Sequence, residues 1–241
     1  MPALLSFIAA TRRIKTVEAL FEFFTETMTG LGYDLMNFSI ISAYDIAEHH
    51  LGFGLINTYP LSWQRYYDTH NCRQIDPVAQ CATSTFRPFH WHELERLMPL
   101  SPRQRRFLRE AQAAGLHHGV GIPFKGPMSQ VAGIALATSD PHAKDLPSLD
   151  VLVAYCNQFF EVFRSFVTKP ARPPRGQVLS LRERQVLEGV GRSLYDAEIA
   201  DILGIKSSTV DSHLRHAFTK LKVKTRTGAV LTAMKMGLID P

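Results

Sequence analysis

Glu198-Ile199-Ala200-Asp201-Ile202-Leu203-Gly204-Ile205-Lys206-Ser207-Ser208-Thr209-Val210-Asp211-Ser212-His213-Leu214 decides the fold of the C-terminal part of the chain. Ile199, Ala200, Ile202 and Leu203 keep helical spacing up to Gly204, and a residue without a Cβ suits a tight interhelix turn. Ser207 or Ser208 then offers a hydroxyl to cap the next helix, whose apolar stripe is Val210, Leu214, Ala217, Phe218 and Leu221. A helix, a short glycine turn and a capped helix are the sequence form of a helix-turn-helix. Upstream, Leu181, Val186, Leu187 and Val190 make another stripe; downstream, Val230 to Met236 make a fourth, closed by Gly237. Residues 179–241 are thus predicted to be an all-α, four-helix domain.

With Val210 and Leu214 inward, the start of the third helix, from Lys206 and Ser207, turns Thr209, Asp211, Ser212 and Arg215 outward. That is the part of such a helix that enters the DNA major groove. Arg215 has the fork to read a guanine bidentately, and Asp211 accepts from a cytosine amino group. Lys220, Lys222, Lys224 and Arg226 follow as a basic cluster suited to phosphates. The charge distribution agrees. From Lys169 onward there are 13 Lys and Arg against 7 Asp and Glu, a net +6, while residues 1–168 hold 14 against 15, a net −1. The expected partner of the C-terminal part is double-stranded DNA.

Lys169-Pro170-Ala171-Arg172-Pro173-Pro174-Arg175-Gly176 carries a proline density that neither helix nor strand tolerates, so residues 169–178 are read as an interdomain linker. Ahead of it the pattern is mixed. Val17 to Phe24, Pro102 to Gly115 and Leu149 to Val167 have helical periodicity. Asn37 to Ala43, Leu51 to Asn57, Val120 to Phe124 and Val131 to Thr138 are short apolar or alternating runs of strand type. A sheet with helices on its faces follows for residues 1–168.

The chain has 241 residues, 45% of them hydrophobic, enough for two ordinary cores. The apolar start, Met1 to Ala10, lacks the order of a secretory signal, and no stretch has the apolar length of a membrane span. Cys72, Cys81 and Cys156 show no paired framework, and a cytoplasmic setting is expected.

Within residues 1–168, Tyr59-Pro60-x-x-Trp63-x-x-x-Tyr67 is followed by Asp76-Pro77, Trp91 and Gly119-x-x-Ile122-Pro123. Trp63 and Tyr67 share one helical face, each an apolar body with a polar tip, as suits a pocket that is mostly apolar with a few oriented donors. A buried Asp76 needs a ligand group or a substitute partner.

The chain resembles the LuxR family of quorum-sensing transcriptional regulators. The resemblance rests on Leu179-Ser180-x-Arg182-Glu183-x-x-Val186-Leu187, Glu198-Ile199-Ala200, Leu203-Gly204-Ile205, Thr209-Val210, His213, Lys220-Leu221, Ala233 and Gly237-Leu238-Ile239, and on the aromatic and acidic set of residues 59–123. It implies an α+β protein: an N-terminal α/β/α sandwich for acyl-homoserine lactone binding and dimerisation, joined to the helix-turn-helix domain. Carried over residue by residue, it implies that Trp63 donates its indole N–H to the lactone carbonyl and that Asp76 accepts the ligand amide N–H. Tyr67 hydrogen-bonds the amide carbonyl, Tyr59 walls the site, Trp91 packs on the lactone ring and Gly119 keeps the backbone close. Where some relatives place hydroxyls along the acyl chain, this chain has Val78, Gly121 and Ala135, which favours an unsubstituted, branched or aromatic acyl group over a 3-oxo one. The implied partners are an inverted-repeat DNA element, a second copy of the chain, the autoinducer and RNA polymerase, with no cofactor and no membrane. Where the family has a Gly-Lys-Thr turn, this chain has Ser193-Leu194-Tyr195 after Gly189 and Gly191, so the first helix is expected to end early and the second to be capped by Ser193 or Asp196.

Two other readings stand beside this one. Ten histidines, His49-His50 and His90-x-His92 among them, suggest an enzyme or metal site, though adjacent histidines do not readily aim at one ion. The alternative is a regulator or antagonist of the same fold that ignores any ligand.

Overall fold

Strand alternation organises the N-terminal unit. In the computed structural model, which describes residues 2–43, 45–126, 130–168 and 179–240, five antiparallel strands pair in the order β2-β1-β5-β4-β3. They are β1 (Leu35–Ser42), β2 (Gly52–Asn57), β3 (Phe89–His90), β4 (His117–Gly126) and β5 (Gln130–Thr138). On one face, Phe38 and Ile40 of β1, Ile122 and Phe124 of β4, and Ile134 and Leu136 of β5 are buried against helices. These helices are α1 (Pro2–Thr11), α2 (Val17–Gly30) and α7 (Leu149–Val167). Phenylalanines dominate this layer: Phe24 stacks on Phe159 at 4.1 Å, and Phe38 meets Phe163 edge-on at 5.1 Å. Such pairs add roughly 0.5–1.5 kcal/mol each beyond the area they bury.

The odd-numbered positions of β1 and β5 face the other way, and those in the middle of the strands are polar or small. Asn37 and Ser39 on β1, Gly121 on β4 and Gly133 and Ala135 on β5 all look into a cavity rather than a packed core. Registers Asn37↔Ala135, Ser39↔Gly133 and Gly121↔Ala135 set them side by side. Side chains this short cannot reach the helices above, so the space stays open. α3 (Leu61–Thr69), α4 (Pro77–Ser84), α5 (Leu94–Leu97) and α6 (Pro102–Ala113) cover this face. The resulting arrangement is the expected α/β/α sandwich.

α1 was not anticipated as a helix: its Phe7 is buried against the α7 layer. Cys72, Cys81 and Cys156 are all free and buried. Among the described residues no helix is long and apolar enough to cross a membrane. Residues 169–178, read as the linker, lie outside the described residues.

The C-terminal unit is the four-helix bundle expected, with α8 (Leu181–Gly191), α9 (Asp196–Leu203), α10 (Ser207–Leu221) and α11 (Arg226–Lys235). Its core includes Leu179, Val186, Leu187, Ile199, Val210, Leu214, Ala217 and Ala233. Gly204 closes α9 in the left-handed conformation at φ 64°, as the turn requires.

Four local expectations are corrected. Leu181 and Ile202, placed in the inward stripes, are 70% and 68% exposed; Leu179, just outside α8, is buried instead. α8 does not end early. It runs through Gly189, which is there because α9 crosses so closely that a Cβ would stand 2.8 Å from Ile199. Neither Ser193 nor Asp196 caps α9: Ser193 sits in the left-handed region at φ 64°, and Tyr195 is the N-cap residue, its N–H donating to the Glu198 carboxylate at 2.7 Å. α10 likewise starts from Lys206 as N-cap, without a side-chain cap, so Ser207 and Ser208 are already helical.

Candidate functional site

The cavity on the small-residue face measures about 580 Å³, within the range of small-molecule sites. Tyr59, Trp63, Tyr67, Asp76, Trp91 and Ala135, gathered from β2's exit, α3, α4's start, the turn after β3 and β5, all line it. Gly119 does not. Its Cβ would stand 2.0 Å from the Trp91 indole, so its bare backbone is the seat on which that ring lies.

Asp76 is the N-cap of α4, with Pro77 at the first helical position, a placement that uses the Asp-Pro pair as a helix start. Its Oδ1 accepts the backbone N–H groups of Val78 at 2.8 Å and Ala79 at 3.2 Å. The other oxygen accepts the Tyr67 hydroxyl at 3.0 Å, the substitute partner that a buried carboxylate requires. Burial raises the Asp76 pKa above the usual carboxylate range, against the pull of the Ala79 N–H, the Tyr67 hydroxyl and the Val78 N–H. Tyr59 and Tyr67 are pushed well above the ordinary phenol range, by burial and then by the Asp76 charge. Both phenols therefore stay protonated and act as hydrogen-bond donors at any physiological pH.

Trp63 is 4% exposed and held from both sides, stacked on Tyr66 and tilted against Phe107, each 5.3 Å away. Tyr66 is anchored in turn by Glu110, which also takes Arg106 at 2.8 Å. The indole thus keeps a fixed direction beside Asp76 and Tyr67. Donors (Trp63, Tyr59, Tyr67) and one acceptor (Asp76) converge in an apolar enclosure, an arrangement that fits an amide or ester head with an apolar tail.

Sequence reasoning missed further polar lining residues, Asn37, Ser39 and Asn57 among them. The signal was present: in Asn37-Phe38-Ser39-Ile40 the apolar residues occupy only one face of the strand. It also missed Phe53 and Arg73 at the cavity wall, where the guanidinium lies 3.5 Å above the ring.

On the C-terminal unit, Lys206, Ser207, Ser212 and Arg215 are exposed along the first turns of α10, while Thr209 and Asp211 are half-buried. Arg215 pairs with Asp211 at 2.7 Å. Both ends of that pair are open to solvent, so the pair is worth only about 0.3–0.5 kcal/mol and yields readily to a base. Lys222 and Lys224 are exposed, as phosphate contacts need. Lys220 is placed differently from expectation. Its ammonium lies 2.9 and 2.8 Å from the two oxygens of Glu183, which is 5% exposed, so it neutralises a buried carboxylate. Arg226 is paired with Asp196.

Comparison with known proteins bears on both units. Residues 16–160 match the autoinducer binding domain family, and residues 177–233 match the luxR family of bacterial regulatory proteins. The transcriptional activator protein AnoR of Acinetobacter nosocomialis is 25% identical, over 94% of each chain. The quorum sensing-dependent transcriptional regulator RpaR of Rhodopseudomonas palustris is 29% identical, over 77% of this chain and 74% of its own. The crystal structure of Escherichia coli SdiA, 20% identical, shares the fold across 100% of this chain and 99% of its own, with a TM-score of 0.67. Matched along both units, the chain belongs to the LuxR family, transcription regulators and not enzymes, in which an autoinducer-binding domain precedes a helix-turn-helix.

Proposed function

We propose that the protein is a quorum-sensing transcriptional activator that takes up an N-acyl-homoserine lactone and binds an inverted-repeat promoter element as a homodimer in the cytoplasm, where it meets RNA polymerase. The observation that carries this reading is the convergence of Asp76, Tyr67 and Trp63 on one cavity. Asp76 accepts the ligand amide N–H, Tyr67 turns its hydroxyl to the amide carbonyl, and Trp63 donates to the ring carbonyl. Trp91 covers the lactone. Val78, Gly121 and Ala135 line the acyl chain near the head without a hydroxyl, which supports an unsubstituted, branched or aromatic acyl group over a 3-oxo one. The names of AnoR and RpaR support activation and quorum sensing for this chain.

A thermal-shift titration tests the ligand reading. A ligand that binds only the folded state stabilises it by RT ln(1 + [L]/Kd), about 2.7 kcal/mol at a hundredfold excess over Kd. Tm is expected to rise with N-acyl-homoserine lactone concentration in the wild type and hardly at all in Asp76→Asn, which loses a charge-assisted hydrogen bond worth about 1.5–3 kcal/mol. An undiminished rise in that variant would place the polar head elsewhere. If no lactone moves the wild-type Tm while the protein still binds DNA, the ligand-independent reading replaces this one.

A further inference from the structure

Asn37 and Asn57 face each other across β1 and β2 in direct register. Each has its side-chain oxygen engaged. Asn57 Oδ1 accepts the Tyr59 N–H at 3.3 Å, and Asn37 Oδ1 accepts the Ser39 hydroxyl at 2.7 Å. The Ser39 hydroxyl is free to donate because its oxygen takes the Gly54 N–H at 3.0 Å. A backbone N–H and a donating hydroxyl each require an acceptor, so both amides are oriented by chemistry, with both amino groups left over. Those amino groups converge. At Gly54, whose φ of +66° admits glycine and few other residues, an ideal Cβ would lie 3.4 Å from Asn57 Nδ2 and 3.5 Å from Asn37 Nδ2. The absent side chain leaves a stretch of cavity wall open beside Asn57, whose Cβ stands nearest at 3.3 Å, with both amino groups next to it.

We propose that this pair binds an oxygen on the acyl group of the ligand, a hydroxyl or carbonyl beyond the third acyl carbon. A ligand oxygen that approaches Gly54 from the cavity, at contact distance from its Cα, faces the two amino groups as donors. Asn57 is exposed and Asn37 half-buried, so the pair stands toward the rim of the cavity. α4, which carries Asp76 as its cap, packs on β4 and β5, whereas the asparagines belong to β1 and β2, toward the opposite edge of the sheet. An aromatic or straight acyl group lying across Ala135 would present its far end there. The inference rests on the lactone reading and refines it, since three apolar positions near the head speak only against an oxygen close to the amide.

The test compares two lactones that differ by one hydroxyl, N-(3-phenylpropanoyl)- and N-[3-(4-hydroxyphenyl)propanoyl]-L-homoserine lactone, with the full-length protein. The ratio of their Kd values is read by calorimetry or thermal shift. The wild type is expected to favour the hydroxylated ligand about threefold to tenfold, as one or two neutral hydrogen bonds give. Asn37→Ala/Asn57→Ala is expected to bring the ratio to about one. If that double variant does not fold, Ser39→Ala, which frees the Asn37 amide to turn, is expected to lower the ratio. Binding of both ligands by the wild type without preference for the hydroxyl overturns this inference and leaves the lactone reading intact. A preference that survives in the variants also overturns it, and failure of both lactones to bind overturns the two readings together.

Discussion

At the scale of single residues, Asp76 carries two duties that pull in opposite directions. As an N-cap it satisfies two orphan amides of α4, yet its charge is held away from water. Its raised pKa means that the folded protein holds the proton more tightly than the unfolded chain does. Linkage then makes the ligand-free protein lose stability as pH rises from the ordinary Asp range through that raised value, with no further loss above it. Asp76→Asn keeps a good capping residue and removes the charge. The ligand-free variant is therefore expected to melt above the wild type at neutral pH, and its Tm to vary less between pH 4 and 7. About 2–4 °C separates proteins of this size for each kcal/mol. Thermal melts across that pH range check it, and a variant less stable than wild type at pH 7 would count against a strained carboxylate. At the same scale, the roles of Asp76 and Trp63 could be suspected from side-chain chemistry. The role of Gly119 could not, because what touches it is a ring 28 residues earlier in the chain.

Among elements, Glu183 ties two helices together. It closes the capping box at the start of α8, accepting the Ser180 N–H at 2.7 Å, and holds Lys220 near the end of α10. Burial alone would raise its pKa; Lys220 and the Ser180 N–H outweigh that and hold it below the ordinary range. A depressed carboxyl contributes stability that is present above the unfolded value and lost as pH falls through the folded one. Lys220→Met leaves a buried charge without its partner. Full burial would make that cost about 3–5 kcal/mol; with the lysine 31% exposed, a loss near 2 kcal/mol is expected. Circular-dichroism melts should show Lys220→Met lowering the Tm of the C-terminal unit. Lys222→Ala and Lys224→Ala should leave it in place while weakening specific and random DNA alike and flattening the salt dependence. A Lys220 variant of unchanged Tm would return that residue to the phosphate-binding set. Gly189 makes a similar point about α8 and α9: Gly189→Ala, helix-favouring on its own, is expected to destabilise the bundle because the added Cβ would stand 2.8 Å from the buried Ile199.

Across the whole molecule, periodicity made the architecture legible. Runs at spacing 2 and 3.6 gave four of the five strands and most helices, and the charge asymmetry separated a DNA-facing C-terminal part from a neutral remainder. The two-residue β3 and the four-residue α5 were too short to leave a periodic trace. Helix starts failed where the cap was not a hydroxyl: Lys206 and Tyr195 hold N-cap positions without a side-chain bond to the first turn, which no residue preference announces. The cavity itself was only half legible, since its polar tip residues are conspicuous while the emptiness around them comes from what β1, β4 and β5 lack. At the level of assembly, one α10 reads only a few base pairs. Gel-filtration and binding measurements are expected to show a dimer on half-sites whose centres lie about 10 base pairs apart, or a multiple of that. Full affinity of a proven monomer for one half-site would contradict this.

The glycines under the cavity bear on how such receptors diverge. Gly119 and Gly121 are locked, because a methyl group on either would collide with Trp91 or Phe89, at 2.0 and 2.4 Å. Gly133 is not. Its Cβ would make only ordinary contact, 3.5 Å from the Ile122 carbonyl, while entering the cavity. Gly133→Ala is expected to leave Tm within about 2 °C of wild type and to shift preference toward slimmer acyl groups, measurable by ranking straight against aromatic lactones. A descendant lineage thus has one position where a single nucleotide change retunes the signal it hears without a toll on folding, so two populations carrying this receptor drift out of earshot of each other by mutation at one codon.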